Sequence, residues 1–393
     1  MAVSAALTSF GPALAELDAR GLRRRRRTVR RGEPDTADIQ LDGRQCVDFC
    51  SNDYLGLAAH PQVIEALIDA ARIHGVGARA SHLITGHQTE HEALEHELAA
   101  WTGRERAIVF STGYMANLGL ASALARRGAI VFGDRLNHAS LIDGGRLSGA
   151  TLLHYPHGDV AALEQQLVAQ ESGTALVLTD GVFSMDGDLA PLPALAAACA
   201  KHGAFLAVDD AHGLGVIGAT GRGSLEHFQL TAAEVPALVG TFGKAFGTFG
   251  AFIAGNGDLI ETLIQRARTY IYTTALPPAV AAATRAALAV SIAEPWRRER
   301  VLALTRRFRE LALAAGITLA ASETPIQPIL LGSAQEAMRA SNALLERGFF
   351  VAAIRPPTVP ADTSRLRVTF SASHRDTDVE NLVAALADVV SPE

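Results

Sequence analysis

Along the middle of the chain, apolar residues gather in short runs with no polar position inside them. Ala107-Ile-Val-Phe110, Ala129-Ile-Val-Phe132, Ala175-Leu-Val-Leu178, Ala204-Phe-Leu-Ala-Val208 and Ala251-Phe-Ile253 are the clearest. Runs of this length, rich in branched and aromatic side chains, predict strands buried on both faces. Between them, residues 159–170 and 192–201 carry apolar positions at helical spacing, the second after a proline-rich start. Strand–helix alternation of this kind predicts an α/β fold, a largely parallel sheet with helices on both faces. A different pattern starts with the amphipathic segment 296–315. It continues as strand 326–331, helix 334–347, strand 350–354, strand 366–370 and helix 376–390. The expected division is an N-terminal segment over 1–55, a large α/β domain over 56–292, and a smaller α+β domain over 293–393 that packs with the N-terminal segment.

Composition narrows the class. The 393 residues are 49% hydrophobic and 19% charged, a chain with a large core and not a disordered one. No apolar run reaches the roughly 18–20 residues of a membrane helix; the richest stretch, 275–293, contains Pro277, Pro278 and Arg285. No basic residue precedes the N-terminal apolar stretch and Glu16 and Asp18 follow it, which is not the layout of a signal peptide. Three cysteines, Cys46, Cys50 and Cys199, suit a reducing, cytoplasmic setting. The net charge of −6 argues against nucleic acid as a partner. The run Arg23–Arg27 reads as a solvated face, with one arginine available to an anionic ligand.

Of the 35 basic residues only Lys201 and Lys244 are lysines, so any chemistry that needs a lysine amine uses one of the two. Lys201 sits where a helix ends before Gly203, a position that favours a cation through the helix dipole. Lys244 lies in Gly240-Thr-Phe-Gly-Lys-Ala-Phe-Gly247, whose glycines allow close backbone approach. Lys244 is the candidate.

Three motifs point elsewhere and fail on context. Gly213-Leu-Gly-Val-Ile-Gly218 matches a dinucleotide fingerprint, but Ala219-Thr-Gly-Arg-Gly-Ser224 follows where a helix must begin. His87-Gln-Thr-Glu-His91 matches a zinc-peptidase order, yet it continues into Glu92, Glu95, His96 and Glu97 and reads as a polar helix face, so no metal is expected. Gly243-Lys244 lacks both the spacing and the following Ser or Thr of a P-loop.

The expected strand ends carry the chemistry, as ligand sites in open α/β sheets do. They supply Ser111-Thr-Gly-Tyr114 leading into a helix, Asp134 through His138, Asp180-Gly-Val-Phe-Ser184, Asp209-Asp-Ala-His212, and Thr241 with Lys244. Pyridoxal phosphate (PLP) needs such a set: an amine for a Schiff base, a carboxylate to keep the pyridine nitrogen protonated, a helix start for the phosphate, and a flat group over the ring.

Ser51-Asn-Asp-Tyr-Leu-Gly56, Asp134-Arg-Leu-Asn-His-Ala-Ser-Leu141, Gly181-Val-Phe-Ser-Met-Asp-Gly-Asp188, Val208-Asp-Asp-Ala-His-Gly213 and Thr241-Phe-Gly-Lys244 resemble the α-oxoamine synthases, in family order. The resemblance spans about residues 45–370. It implies the type I PLP-dependent transferase fold, with Lys244 as Schiff-base lysine and proton carrier, Asp209 at the pyridine nitrogen and His138 stacked on the ring. It further implies His212 at the phenolic oxygen with Ser184 nearby, and Gly113, Tyr114 and Thr241 around the cofactor and its phosphate. Thr274 resembles a phosphate contact given by the partner subunit of a homodimer. Arg355 would take the amino-acid carboxylate, with Asn52 and Thr358 beside it and Arg23 or Arg24 as the N-terminal substrate arginine. Ala353-Ile-Arg-Pro-Pro-Thr-Val-Pro360 resembles the biotin-pathway branch. That branch joins L-alanine to a pimeloyl thioester, carried on coenzyme A or acyl carrier protein, with loss of CO2. The alternatives are a glycine-using member such as a glycine C-acetyltransferase, or a silent partner subunit, which would lack the lysine.

Overall fold

The computed structural model describes residues 10–170 and 173–390. Two compact units divide the chain. The larger holds residues 52–184 and 188–302; the smaller gathers the residues up to Ser51, Met185–Gly187 and the residues from Ala303.

The larger unit is built on seven strands: β1 (Arg106–Phe110), β2 (Ile130–Asp134), β3 (Thr151–Tyr155), β4 (Ala175–Asp180), β5 (Phe205–Asp209), β6 (Ala237–Thr241) and β7 (Ala251–Gly255). Their order is β1-β7-β6-β5-β4-β2-β3. Neighbours from β6 to β3 pair in parallel, whereas β7 is antiparallel to both β6 and β1. Six strands therefore share one direction, and the expectation of a largely parallel sheet stands. The five apolar runs form β1, β2, β4, β5 and β7. β3 escapes the pattern because it is an edge strand, with only Tyr155 of its five residues buried.

Helix ends follow local chemistry. The segment read as 159–170 is helical over Val160–Val168, with the Asp159 side chain accepting the Ala162 N–H at 2.9 Å. The helix Leu192–His202 ends at Gly203, whose φ of +65° suits glycine. Ile108, Val131, Leu176, Leu178, Val239 and Ile253 of the sheet pack with Leu120, Leu141, Ile260 and Leu263 of the helices in one core. The shared strand direction brings the C-terminal ends of β1, β2, β4, β5 and β6 to one edge.

In the smaller unit, Val29–Arg31, Asp38–Leu41 and Arg44–Asp48 form an antiparallel sheet joined in parallel by Phe349–Phe350. A second sheet pairs Ser364–Thr369 with Ile326–Gly332 and Ala352–Ile354. The expected single strand over 350–354 is thus two, and the fully buried Val351 marks where the chain changes sheets. Ala334–Glu346 and Asp376–Val390 are helical, as expected. Trp296–Ala314 is one helix, and the division between units falls inside it. Among the described residues, no helix is long and apolar enough to cross a membrane.

Candidate active site

A cavity of about 200 Å³ at the C-terminal edge of the sheet is lined by Gly113, Tyr114, His138, Ser140, Asp180, Ser184, Asp209, Ala211, His212, Thr241 and Lys244. Eight of these are residues the sequence assigned to a cofactor. Ser140, Asp180 and Ala211 were not.

The lining residues come from strand ends and from the turns and helix starts that follow them. Asp209 closes β5 and is buried; its carboxylate accepts the Ala211 N–H at 3.0 Å and the Asn117 amide at 2.6 Å. The same Asn117 nitrogen donates to Ser140 Oγ at 2.8 Å, and that hydroxyl lies 2.7 Å from His138 Nδ1. The Ser140 N–H also donates to Nδ1, at 3.3 Å, so His138 caps the helix Ala139–Leu147. With Nδ1 accepting, the neutral ring carries its proton on Nε2. Burial holds the His138 pKa below its ordinary value, helped by the Lys244 cation and opposed by Asp209.

Asp180 ends β4 and accepts the His138 N–H at 2.6 Å. Burial, and then the Asp209 charge, push its carboxyl well above the usual carboxylate range. Asp210 takes the Ser224 N–H at 2.7 Å, and burial raises it to about 7. On the other flank, His212 Nδ1 lies 2.7 Å from the hydroxyl of the fully buried Tyr54, which donates to Asn52 Oδ1 at 3.2 Å. Asn52 thereby reaches the cavity lining through Tyr54, a residue the sequence analysis quoted only as part of a motif.

The helix Gly113–Leu124 points its N-terminus at the cavity, with Thr112 capping the Met115 N–H at 3.1 Å. A Cβ placed on Gly113 would meet only the Thr241 side chain, at 4.0 Å, which leaves open space in front of the first-turn amides. Thr241 Oγ1 donates to the Gly250 carbonyl at 2.9 Å and accepts the Gly243 N–H at 3.4 Å, shaping the turn before Lys244. The Tyr114 hydroxyl is held by Asp143. Open amides, a buried carboxylate, a cavity-facing lysine and the orphaned buried Asn117 Oδ1 are a donor and acceptor set that fits PLP.

Other expected residues lie elsewhere. Thr274 is exposed and outside the lining. In the smaller unit, Arg24 donates to Thr358 Oγ1 at 3.0 Å, and Arg355 donates to the Gly21 carbonyl. Desolvation, and then the Arg24 charge, hold the Arg355 pKa down. Arg23 pairs with Asp18 at 2.5 Å and lines one cavity with Arg355, while Arg24 bonds Thr358, so both N-terminal candidates lie with the Arg355 segment. His91 spends one ring nitrogen on the Gln88 N–H (3.0 Å) and the other on the Leu276 carbonyl (2.6 Å), leaving the His87/His91 pair no shared metal geometry. The Gly213–Gly218 segment is a turn closed by a Gly215-to-Gly221 hydrogen bond of 2.7 Å, and no helix starts there.

The Aminotransferase class I and II family matches residues 44–386, and the chain belongs to it, with the type I PLP-dependent transferase fold. Within that family, the chain is 58% identical over 387 residues to the 8-amino-7-oxononanoate synthase of Methylococcus capsulatus, covering 98% of this chain and 100% of the relative. A serine palmitoyltransferase variant from S. paucimobilis, solved with a PLP–myriocin aldimine bound, superposes with a TM-score of 0.91 at 31% identity, over 96% of each chain. The 8-amino-7-oxononanoate synthase of Francisella tularensis does so with a TM-score of 0.76 at 32% identity, over 87% of this chain and 97% of that one.

Proposed function

We propose that the chain condenses L-alanine with a pimeloyl thioester, on coenzyme A or acyl carrier protein, to give 8-amino-7-oxononanoate, CO2 and the free thiol, as a PLP-dependent step of biotin synthesis in the cytoplasm. One observation carries the reading: Lys244, Asp209, His138, His212, Ser184, Thr241, Gly113 and Tyr114 line a single cavity.

Bound PLP supplies an electron sink for the bond to the amino-acid α-carbon. The chain's own residues do the rest. Lys244 would hold the cofactor through its amine, and the same amine would take the α-proton of alanine. Asp209 would keep the pyridine nitrogen protonated, and the Asn117 amide fixes the position of its carboxylate. His138 offers a flat neutral ring, and its Ser140 contact fixes which face it presents. His212, oriented by Tyr54, and Ser184 hold the phenolic side. The N-terminus of Gly113–Leu124, with Tyr114 and Thr241, holds the phosphate. Arg355 is the partner for the amino-acid carboxylate, which a guanidinium grips with two hydrogen bonds; the resemblance assigns Thr358 and Asn52 to the same substrate. Arg23 or Arg24 takes the acyl chain's carboxylate.

A homodimer fits this reading. Ile73, Val76, Ile84 and Tyr272 are 77%, 89%, 75% and 71% exposed, more apolar surface than an isolated unit hides well. The Ala275 N–H donates to the Ala80 carbonyl at 3.0 Å, so Thr274 sits where the segments carrying these residues meet. A partner docked there would receive Thr274.

Absorption spectra test the reading. Purified protein with PLP should give a visible band that is absent in Lys244→Ala, shifts with L-alanine, and changes again with pimeloyl-CoA. Failure to bind PLP would overturn the site. A response to glycine in place of alanine would keep the chemistry and move the chain to the glycine-using branch.

A further inference from the structure

A second ionic cluster lies beside the cavity and not in it. His157 Nδ1 is 3.1 Å from Asp134 Oδ1 and Nε2 is 2.9 Å from Asp188 Oδ2, so one ring bridges two carboxylates. The buried Phe183 meets that ring edge-on, with centroids 4.4 Å apart. Asp134 is itself buried and also accepts the N–H groups of Leu136 and Gly158, each at 2.8 Å. Two hydrogen-bonded carboxylates outweigh desolvation and raise the His157 pKa to about 10, so the ring is an imidazolium at neutral pH. The charged groups that face it are Asp134 on β2 and Asp188 on the far arm. Tyr155 of β3 is buried nearby, with its ionisation pushed up by burial and by Asp134.

Both carboxylates belong to segments that line the cavity. Asp134 ends β2, and its carbonyl accepts the Asn137 N–H at 3.1 Å in the turn that delivers His138. Asp188 lies on the returning arm of a hairpin that carries Ser184. Val182 and Leu189 bridge it, and the Phe183 N–H donates to the Asp188 carbonyl at 3.0 Å. At the hairpin's base the Asp180 carboxylate also accepts the His138 N–H, at 2.6 Å, so His157 is the second tie between these segments and the one that grips the returning arm.

We propose that His157 is a positioning residue, a cationic staple that holds the Ser184 hairpin against the turn bearing His138 and so sets how tightly the cavity retains its cofactor. The retention part rests on the PLP reading above; the staple itself does not. Because the folded pKa lies above the unfolded value, the staple is fully present below about pH 6.5 and is lost as pH rises through about 10.

The test compares wild-type holoenzyme with His157→Gln and Asp188→Asn. Hydrogen exchange at pH 7 is followed in residues 133–138 and 181–190, together with the rate of PLP release from pH 7 to 10. His157→Gln should exchange faster in both segments and release PLP about tenfold faster, the size expected for losing a charged hydrogen bond. Wild-type release should accelerate only above about pH 9, and Asp188→Asn, with one carboxylate fewer, should do so about one pH unit lower. Wild-type exchange and release in His157→Gln would overturn the staple. So would identical pH profiles for wild type and Asp188→Asn, which decides the matter if the glutamine variant fails to fold. A wild type that binds no PLP would defeat the cofactor reading, while the exchange data would still judge the staple.

Discussion

The Asn117 side-chain amide donates one hydrogen to Asp209 at 2.6 Å and the other to Ser140 at 2.8 Å, so a residue inside a helix ties the cavity's carboxylate to the serine that orients His138. Both amide hydrogens are spent, and both acceptors, Asp209 and Ser140, are buried. Removing the amide leaves a buried carboxylate short of a donor and frees the His138 ring together. Asn117→Ala should therefore lower stability by about 1–3 kcal/mol and weaken PLP binding. Urea unfolding of the apoprotein and a PLP titration measure the two effects separately. Unchanged PLP affinity would show that the link is structural only.

The two lysines should separate cleanly. Lys244→Ala should cut condensation by about a thousandfold or more with the far-ultraviolet circular dichroism unchanged, because the side chain is half-exposed and carries little of the core. Lys201 reaches Glu164 at 2.9 Å on the surface, with its own side chain 66% exposed. Lys201→Ala should keep activity, and its stability should move by less than about 0.5 kcal/mol. Steady-state rates with L-alanine and pimeloyl-CoA check both.

Strand–helix alternation, the two-lysine count and the strand-end residues were all legible in the sequence, because buried parallel strands write continuous apolar runs and their ends write polar ones. What stayed hidden depends on distance in three dimensions. Asn117 and Asp209 are 92 residues apart, and an asparagine within a helix carries no local sign of a long-range partner. Asp180 was visible as a strand end, yet its bond to the His138 N–H depends on β4 lying beside β2. The edge strand β3 and the change of sheet at Val351 were missed because half-exposed residues, or a single buried one, break the periodicity that marks a strand.

Acid should destabilise each unit through a buried histidine. In the larger unit His82 stacks on Tyr270 with centroids 4.7 Å apart, and burial lowers its pKa to about 3. In the smaller, His374 stacks on Phe49 at 4.3 Å and accepts the Ser371 N–H at 2.9 Å, and burial lowers its pKa to about 4. A depressed folded pKa means that the unfolded chain takes up the proton first. The contribution is complete above about pH 6.5 and is lost as pH falls toward those folded values. Urea midpoints should therefore drop between pH 6.5 and 5, before most carboxylates titrate. His374→Asn should flatten that drop by close to one proton's worth; an unaltered slope would remove His374 from the account.

Glycines around Asp210 give the sharpest packing test. A Cβ on Gly213 would lie 2.1 Å from Asp210 Oδ1, and that carboxylate is fully buried, so nothing nearby can yield without uncoupling it from the Ser224 N–H. Gly213 also follows His212 directly, so a shift there displaces the ring that Tyr54 holds. Gly203 offers the contrast: its φ is +65°, but an added Cβ would meet nothing within 4 Å. Gly203→Ala should lose only the local backbone strain, about 1 kcal/mol, with PLP affinity intact. Gly213→Ala should lose about 1–3 kcal/mol from overpacking and also weaken PLP binding, because the collision is transmitted to His212. Thermal unfolding with a PLP titration on both variants separates strain from collision, and equal PLP affinity in the two would mean that the Asp210 cage does not govern His212.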